Sequence, residues 1–123
     1  MLKYELTAIL VSFNKLPSKE DIEKIFNGGI DNICVVNNNI NFSEESFFSS
    51  HNNIYFLHNK NIGGLAGAYN RALDFIYENL KSSTHIIFLD DDSDFMALKK
   101  FIDSQYTKKF LNNNERMVMS PRY

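Results

Sequence analysis

Apolar residues are distributed along the chain in two alternating kinds of segment. Short, almost uninterrupted apolar runs are typical of strands that are buried on both faces. Five such runs occur, at residues 6–13, 32–36, 53–58, 85–89 and 116–120. Between them, apolar residues recur at helical spacing after positions 18, 67 and 94. This alternation predicts an α/β fold with a largely parallel sheet flanked by helices.

Two of the predicted helices carry signals for where they begin or end. Ser18, followed three residues later by Asp21, resembles a capping box with an aspartate in place of the usual Glu or Gln. Gly28 and Gly29 are predicted to end that first helix. The last helix is predicted to bury apolar side chains over residues 95–110.

Unusual polar or glycine-rich segments follow four of the predicted strands. They are residues 12–14, 37–39, 59–67 and 90–92. Ligands of open parallel sheets bind beyond the carboxyl ends of the strands. We therefore expect these four segments to lie along one edge of the sheet and to form a site.

The third of these segments, "NKNIGGLAGAYNRA" (59–72), joins a strand to a helix. Gly63, Gly64 and Gly67 allow positive φ and close approach of a ligand to the backbone. The free N–H groups of a first helical turn favour an anion such as phosphate. The G-x-G-x-x-G template does not fit, since Ala66 stands two residues after Gly64. The P-loop template does not fit either, since no Gly-Lys-Ser or Gly-Lys-Thr follows. A plain turn before a helix packed on the sheet explains the glycines equally well.

The fourth segment places several carboxylates at the end of the apolar run "HIIFL", at Asp90, Asp91, Asp92 and Asp94. Such close like charges raise each other's pKa unless a cation lies among them. Mg²⁺ and Mn²⁺ take oxygen ligands, commonly one or two carboxylates plus substrate phosphates. Asp90 and Asp92 are thus a candidate metal pair. The alternative is that Ser93 or Asp94 caps the next helix and the other acids are solvated.

Other acidic motifs fit less well. An EF-hand loop starting at Asp90 would need Gly where Phe95 stands and Glu where Phe101 stands. A phosphoacceptor receiver domain would need acids after the first strand, where residues 12–14 are Ser-Phe-Asn. A D-x-D phosphatase usually carries its pair after the first strand, and it is kept as a minor alternative.

Length, charge and composition narrow the class of protein. The 123 residues predict one domain over 1–123. A net charge of −2 gives no basic field for nucleic acid or anionic membranes. No stretch approaches the ~20 apolar residues of a transmembrane helix, and no signal peptide is apparent, so a cytoplasmic protein is expected. Cys34, alone and in an apolar run, is predicted to be a buried, inert thiol.

The segments "TAILVSFN", "VVNNN", "NIGGLAGAYNRAL" and "IIFLDDDS" resemble, in order and rough spacing, family 2 glycosyltransferases of the GT-A fold. The resemblance extends over nearly the whole chain, to "MSPRY". It is greatest to the bacterial branch with rhamnosyl- and galactofuranosyltransferases, which build cell-surface polysaccharides. It implies a Rossmann-like GT-A domain, truncated after the fifth strand.

The resemblance also implies roles for individual residues. The nucleotide-sugar contacts would be made by Ser12, Phe13, Asn14, Asn37, Asn61, Gly63, Gly64, Asn70 and Asp90. Asp90 and Asp92 would hold Mn²⁺ or Mg²⁺. Asn37 departs from the family, which usually has an aspartate there that contacts the base.

The implied reaction is sugar transfer, with inversion, from a UDP- or dTDP-linked donor to a hydroxyl of a saccharide or lipid-linked acceptor. The family's general base lies beyond the fifth strand, so no catalytic residue is assigned and this chain is expected to be inactive alone. An open sheet edge would favour homo-oligomers. The alternative is a non-catalytic module that binds nucleotide diphosphates or oligomerises.

Overall fold

A computed structural model describes residues 4–13, 15–39, 52–90, 95–104, 111 and 117–119, and for Asp90, Met96 and Met117–Met119 it describes the backbone alone. The elements are β1 (Leu6–Ser12), α1 (Lys19–Asn27), β2 (Asn32–Asn37), β3 (Ile54–His58), α2 (Gly64–Asn79), β4 (His85–Asp90), a 3₁₀ turn (Phe95–Ala97), α3 (Leu98–Asp103) and β5 (Met117–Met119). The predicted alternation of strands and helices is confirmed. None of the helices in these ranges is long and apolar enough to cross a bilayer.

The five strands form one sheet in the order β3-β2-β1-β4-β5, and every pairing is parallel. The chain builds outward from β1 to β3 and then returns to the other side of β1 with β4. The winding therefore reverses between β1 and β4, which end at Ser12 and Asp90. Open α/β sheets of this Rossmann-like type bind ligands outside the carboxyl ends of the strands at such a reversal.

Helices cover both faces of the sheet, and two apolar clusters form the core. Leu6, Ala8 and Leu10 of β1 belong to the cluster that includes buried residues of α1 and α3. Ile9 and Val11 belong to the cluster that includes buried residues of α2. Successive strand residues point to opposite faces. Because both faces of β1 are covered, the whole strand is buried, including the polar Thr7 and Ser12. This explains why its sequence is an almost uninterrupted apolar run.

The predicted start of α1 is confirmed. Ser18 Oγ accepts a hydrogen bond from the Asp21 N–H at 3.0 Å, and the Ser18 N–H donates to the Asp21 carboxylate at 3.1 Å. Both halves of the capping box are therefore present with aspartate in the third position. The helix ends at the predicted glycines, with Gly28 as its cap and Gly29 at a φ of 108°.

Strand β1 ends one residue earlier than predicted. The Asn38 N–H donates to the Ser12 carbonyl at 2.8 Å and so completes the ladder between β1 and β2. The next carbonyl, that of Phe13, accepts a side-chain hydrogen bond from Asn39 Nδ2 at 2.7 Å. Phe13 leaves the sheet at this point, and 48% of its surface is exposed.

The last predicted helix begins as a 3₁₀ turn, and its α-helical part ends at Asp103. The Ser104 hydroxyl donates to the Phe101 carbonyl at 2.8 Å, and the Ser104 backbone is extended. This side-chain bond replaces the continuation of the helix, because serine competes for backbone groups in this way. Residues 105–110 of the predicted helix lie outside the described part of the chain.

Cys34 is fully buried in β2, as predicted. Its burial disfavours the thiolate and raises the pKa of the thiol from 9.0 to about 12, while the charge of Arg71 opposes this in part. The thiol is therefore protonated at neutral pH, and a buried, protonated thiol is a poor nucleophile.

We expect Cys34 to make the protein less stable at alkaline pH. The unfolded thiol ionises above pH 9.0, whereas the folded one does so only near pH 12. The free energy of unfolding should thus fall by about 1.4 kcal/mol per pH unit across this window, beyond the fall seen in Cys34→Ala. Urea denaturation of both proteins at several pH values measures the difference. Parallel pH profiles would contradict the assigned pKa.

Candidate functional site

The loops that leave β1, β2 and β3 are joined by backbone hydrogen bonds at one edge of the sheet. The Asn38 N–H donates to the Ser12 carbonyl at 2.8 Å, and the Asn59 N–H donates to the Asn37 carbonyl at 2.9 Å. Three of the four unusual segments are therefore adjacent, as the strand order requires. The fourth begins at Asp90, whose backbone pairs in register with Val11 of β1.

Buried amide side chains connect the end of β2 to the glycine-rich turn. Asn59 Nδ2 donates to Asn38 Oδ1 at 2.8 Å and to the Ile62 carbonyl at 2.9 Å. Asn38 Nδ2 donates to Asn61 Oδ1 at 3.3 Å and to the Gly64 carbonyl at 3.4 Å. We call Asn38, Asn59 and Asn61 the asparagine network. Asn38 and Asn59 are 3% and 8% exposed, and the hydrogen bond between them is buried, where it is stronger than in water.

The turn before α2 has an unusual backbone conformation. Lys60, Asn61, Gly63 and Gly64 have φ values of 52°, 58°, 73° and 64°. A left-handed conformation costs a residue other than glycine roughly 1–2 kcal/mol, so Lys60 and Asn61 need support from their surroundings. The asparagine network holds Asn61 directly, and it bonds Asn59, which precedes Lys60.

Gly67 is required for a different reason from the one predicted. Its φ is outside the positive range, but a Cβ built on Gly67 would overlap the Ile62 carbonyl oxygen. The first turn of α2 thus folds directly against the turn that precedes it. Positive φ explains Gly63 and Gly64, and close backbone packing explains Gly67.

Helix α2 begins without a side-chain cap. Its N-cap residue is Gly63, no side chain of a described residue accepts a hydrogen bond from the N–H groups of the first turn, and that turn has no acidic residue. The N–H groups of Gly64 and Gly67 donate to carbonyls of the turn at 3.2 and 3.1 Å. Those of Leu65 and Ala66 have no acceptor among the hydrogen bonds between described residues. Free N–H groups at the positive end of a helix dipole attract anions.

Exposed apolar side chains lie beside this polar turn. Among described residues the exposed large apolar side chains are Phe13, Ile62, Leu65 and Tyr77. The first three lie at the carboxyl edge, where Phe13 follows β1 and Ile62 and Leu65 flank the glycines. Such a concentration of apolar surface marks binding sites more often than scattered single residues do. It suits a ligand with an anionic group and a flat apolar part.

Ser12 contributes a buried hydroxyl at the reversal of the sheet. Its Oγ is inaccessible to water and has no hydrogen-bond partner among the described residues. It pairs in register with Asn37, which is also fully buried and whose Oδ1 accepts from the Asn39 N–H at 3.0 Å. Leaving a buried hydroxyl without a hydrogen bond costs roughly 1–3 kcal/mol. Such a group therefore calls for an explanation, for example a role in binding or catalysis.

The structure does not connect every predicted site residue to this cluster. Asn70 is exposed on α2, and no hydrogen bond between described residues joins its side chain to the turn. Asn14 and Asp92 lie outside the described residues, and the side chain of Asp90 does as well. Within the described ranges, no group of three or more His, Cys, Asp or Glu side chains could hold a metal ion. The predicted metal pair therefore stays a prediction.

The sequence analysis predicts that residues 37–39 and 59–67 contribute to the site, but it assigns no role to Asn38 or Asn59. Asparagine is common in turns, and its buried, long-range role becomes visible only when β2 and β3 are paired.

Comparisons of the chain with protein-family models, with curated proteins and with solved structures give no significant match. The function is therefore proposed from the residues of the carboxyl edge.

Proposed function

We propose that the chain is the donor-binding domain of a family 2 glycosyltransferase and that it binds a nucleoside-diphosphate sugar at the carboxyl edge of the sheet. The observation that carries the proposal is the uncapped start of α2, held beside the ends of β1 and β2. The described parts of the motifs that resemble the family include Ser12, Asn37 and Asn61, which lie at the same edge. A Rossmann-like sheet alone would not distinguish this function from many others.

The chemistry of the edge matches the parts of such a donor. The diphosphate would accept hydrogen bonds from the Leu65 and Ala66 N–H groups, which carry the positive end of the helix dipole. Phe13, half-exposed after β1, offers an aromatic face to the base. Ser12 and Asn37 are buried polar groups at the paired ends of β1 and β2.

Asp90 and Asp92 would hold a divalent ion in this proposal. Carboxylate oxygens are the ligands that Mg²⁺ and Mn²⁺ prefer, and β4 ends at Asp90 next to β1, whose Ser12 hydroxyl is buried and unpaired among described residues. When bound, the ion would neutralise charge on the diphosphate leaving group. The acceptor hydroxyl would also need a general base, and we assign none among the described residues.

We expect the chain to bind UDP or dTDP more tightly in Mn²⁺ or Mg²⁺ than in EDTA. The ion offsets the repulsion between the diphosphate and the carboxylates, and the helix start contributes neutral donors. Calorimetry with UDP, dTDP and uridine, each with and without EDTA, tests both contributions. Equal affinity for UDP and uridine would contradict the anion site, and equal affinity with and without EDTA would contradict the metal role.

The same protein sample separates this function from the phosphatase alternative. A glycosyltransferase donor domain should not hydrolyse a simple phosphoester such as p-nitrophenyl phosphate. Hydrolysis that is lost in Asp90→Asn would support the D-x-D phosphatase instead.

A further inference from the structure

We infer that Asn38 and Asn59 are positioning residues: they hold the turn before α2 in its left-handed conformation, so that a diphosphate meets donors already in place. The inference rests on the proposed function, because it assigns a role in binding the donor. Neither side chain needs to touch the ligand. Both are buried, at 3% and 8% exposure.

Both the oxygen and the amino group of the Asn38 side chain form hydrogen bonds in the network. Its Oδ1 accepts from Asn59 at 2.8 Å, while its Nδ2 donates to Asn61 Oδ1 and the Gly64 carbonyl. Asn59 Nδ2 donates also to the Ile62 carbonyl at 2.9 Å. Asn38, which directly follows β2, is thus hydrogen-bonded to the turn and the start of α2 at three places: Asn59, Asn61 and Gly64.

These hydrogen bonds lie at the strained part of the backbone. Lys60 and Asn61 are left-handed without being glycine, and such residues persist only where the surroundings fix them. Released from Asn38 and Asn59, the turn would relax toward ordinary φ values. The Leu65 and Ala66 N–H groups, which follow the turn directly, would then lose their common direction.

The network also orients the exposed amide of Asn61. Because its Oδ1 accepts from Asn38, its amino group is the end left for a ligand, and an amino group only donates. The exposed side chain of Asn61 therefore offers a third donor of the turn, besides the N–H groups of Leu65 and Ala66. Three donors together favour a ligand rich in acceptor oxygens, as a diphosphate is.

The test uses nearly isosteric changes in the full chain. Asn38→Asp and Asn59→Asp each replace an amino group with an oxygen that faces carbonyl or amide oxygens. Asn79→Asp is the matched control, since Asn79 Nδ2 donates to the Phe75 carbonyl at 3.0 Å at the far end of α2. Binding of UDP and of pyrophosphate is measured by calorimetry, and amide NMR shifts of Leu65 and Ala66 are followed at a temperature where circular dichroism shows each protein folded.

We expect both network variants to bind UDP and pyrophosphate about tenfold more weakly or worse, which corresponds to about 1.4 kcal/mol, with smaller shifts at Leu65 and Ala66. Asn79→Asp should match the wild type. Unchanged affinity in folded network variants would overturn the positioning role. Failure of the wild type itself to bind either compound would instead contradict the proposed function. If an aspartate variant unfolds, Asn59→Ala, which removes both side-chain donors without adding charge, is measured in the same way.

Discussion

Replacing Gly67 by alanine is expected to destabilise the protein by at least about 3 kcal/mol, the upper range for overpacking in a core. The added Cβ would overlap the Ile62 carbonyl oxygen. That oxygen cannot move away freely, because it accepts a hydrogen bond from Asn59 Nδ2 at 2.9 Å. Either α2 or the turn must shift, and the asparagine network would be lost with it. Thermal and urea denaturation measure the loss.

Gly64→Ala is the matched control for this prediction. A Cβ on Gly64 has no atom within 4 Å, but the residue has a φ of 64°. Its cost should therefore be that of left-handed strain alone, roughly 1–2 kcal/mol. A Gly67→Ala protein as stable as Gly64→Ala would show that the turn is not packed against α2 as described.

The elements could be predicted from sequence because their signals are local. The almost uninterrupted apolar runs of β1 and β2 reflect helices on both faces of the sheet. The capping box of Ser18 and Asp21 lies within one helical turn, so both partners are visible together. The strand order β3-β2-β1-β4-β5, in contrast, was not predicted, because the right-handed crossovers of parallel strands are compatible with several orders.

The details of the site could not be predicted because they depend on distant contacts. Asn38 and Asn59 are 21 positions apart in the chain. The sequence around an asparagine in a turn does not indicate which distant side chain it will bond. The glycine-rich pattern predicts a special role for Gly67, but that role depends on the position of the Ile62 carbonyl. The buried hydroxyl of Ser12 is likewise a property of packing and not of its neighbours in sequence.

Asp90→Asn and Asp92→Asn are each expected to abolish the effect of Mn²⁺ or Mg²⁺ on nucleotide binding, which rests on the proposed function. An amide keeps the size of the side chain but removes the charge that a hard divalent ion requires. We expect UDP affinity in Mn²⁺ to fall by about tenfold or more, equivalent to about 1.4 kcal/mol, to the level seen in EDTA. Asp74→Asn, a charge change at an exposed position of α2, is the control and should keep the metal effect.

The melting temperature in metal-free buffer separates a metal site from a structural role for these aspartates. Neighbouring carboxylates repel one another when no cation is present, so removing one charge should leave the apo protein equally stable or more stable. Metal should then raise the melting temperature of the wild type and of Asp74→Asn, but not that of the two site variants, because an ion that binds only the folded state stabilises it. A large drop in apo stability would instead mean that the carboxylates hold the end of β4 by hydrogen bonds. A metal effect that survives in both variants would mean that the ion binds elsewhere.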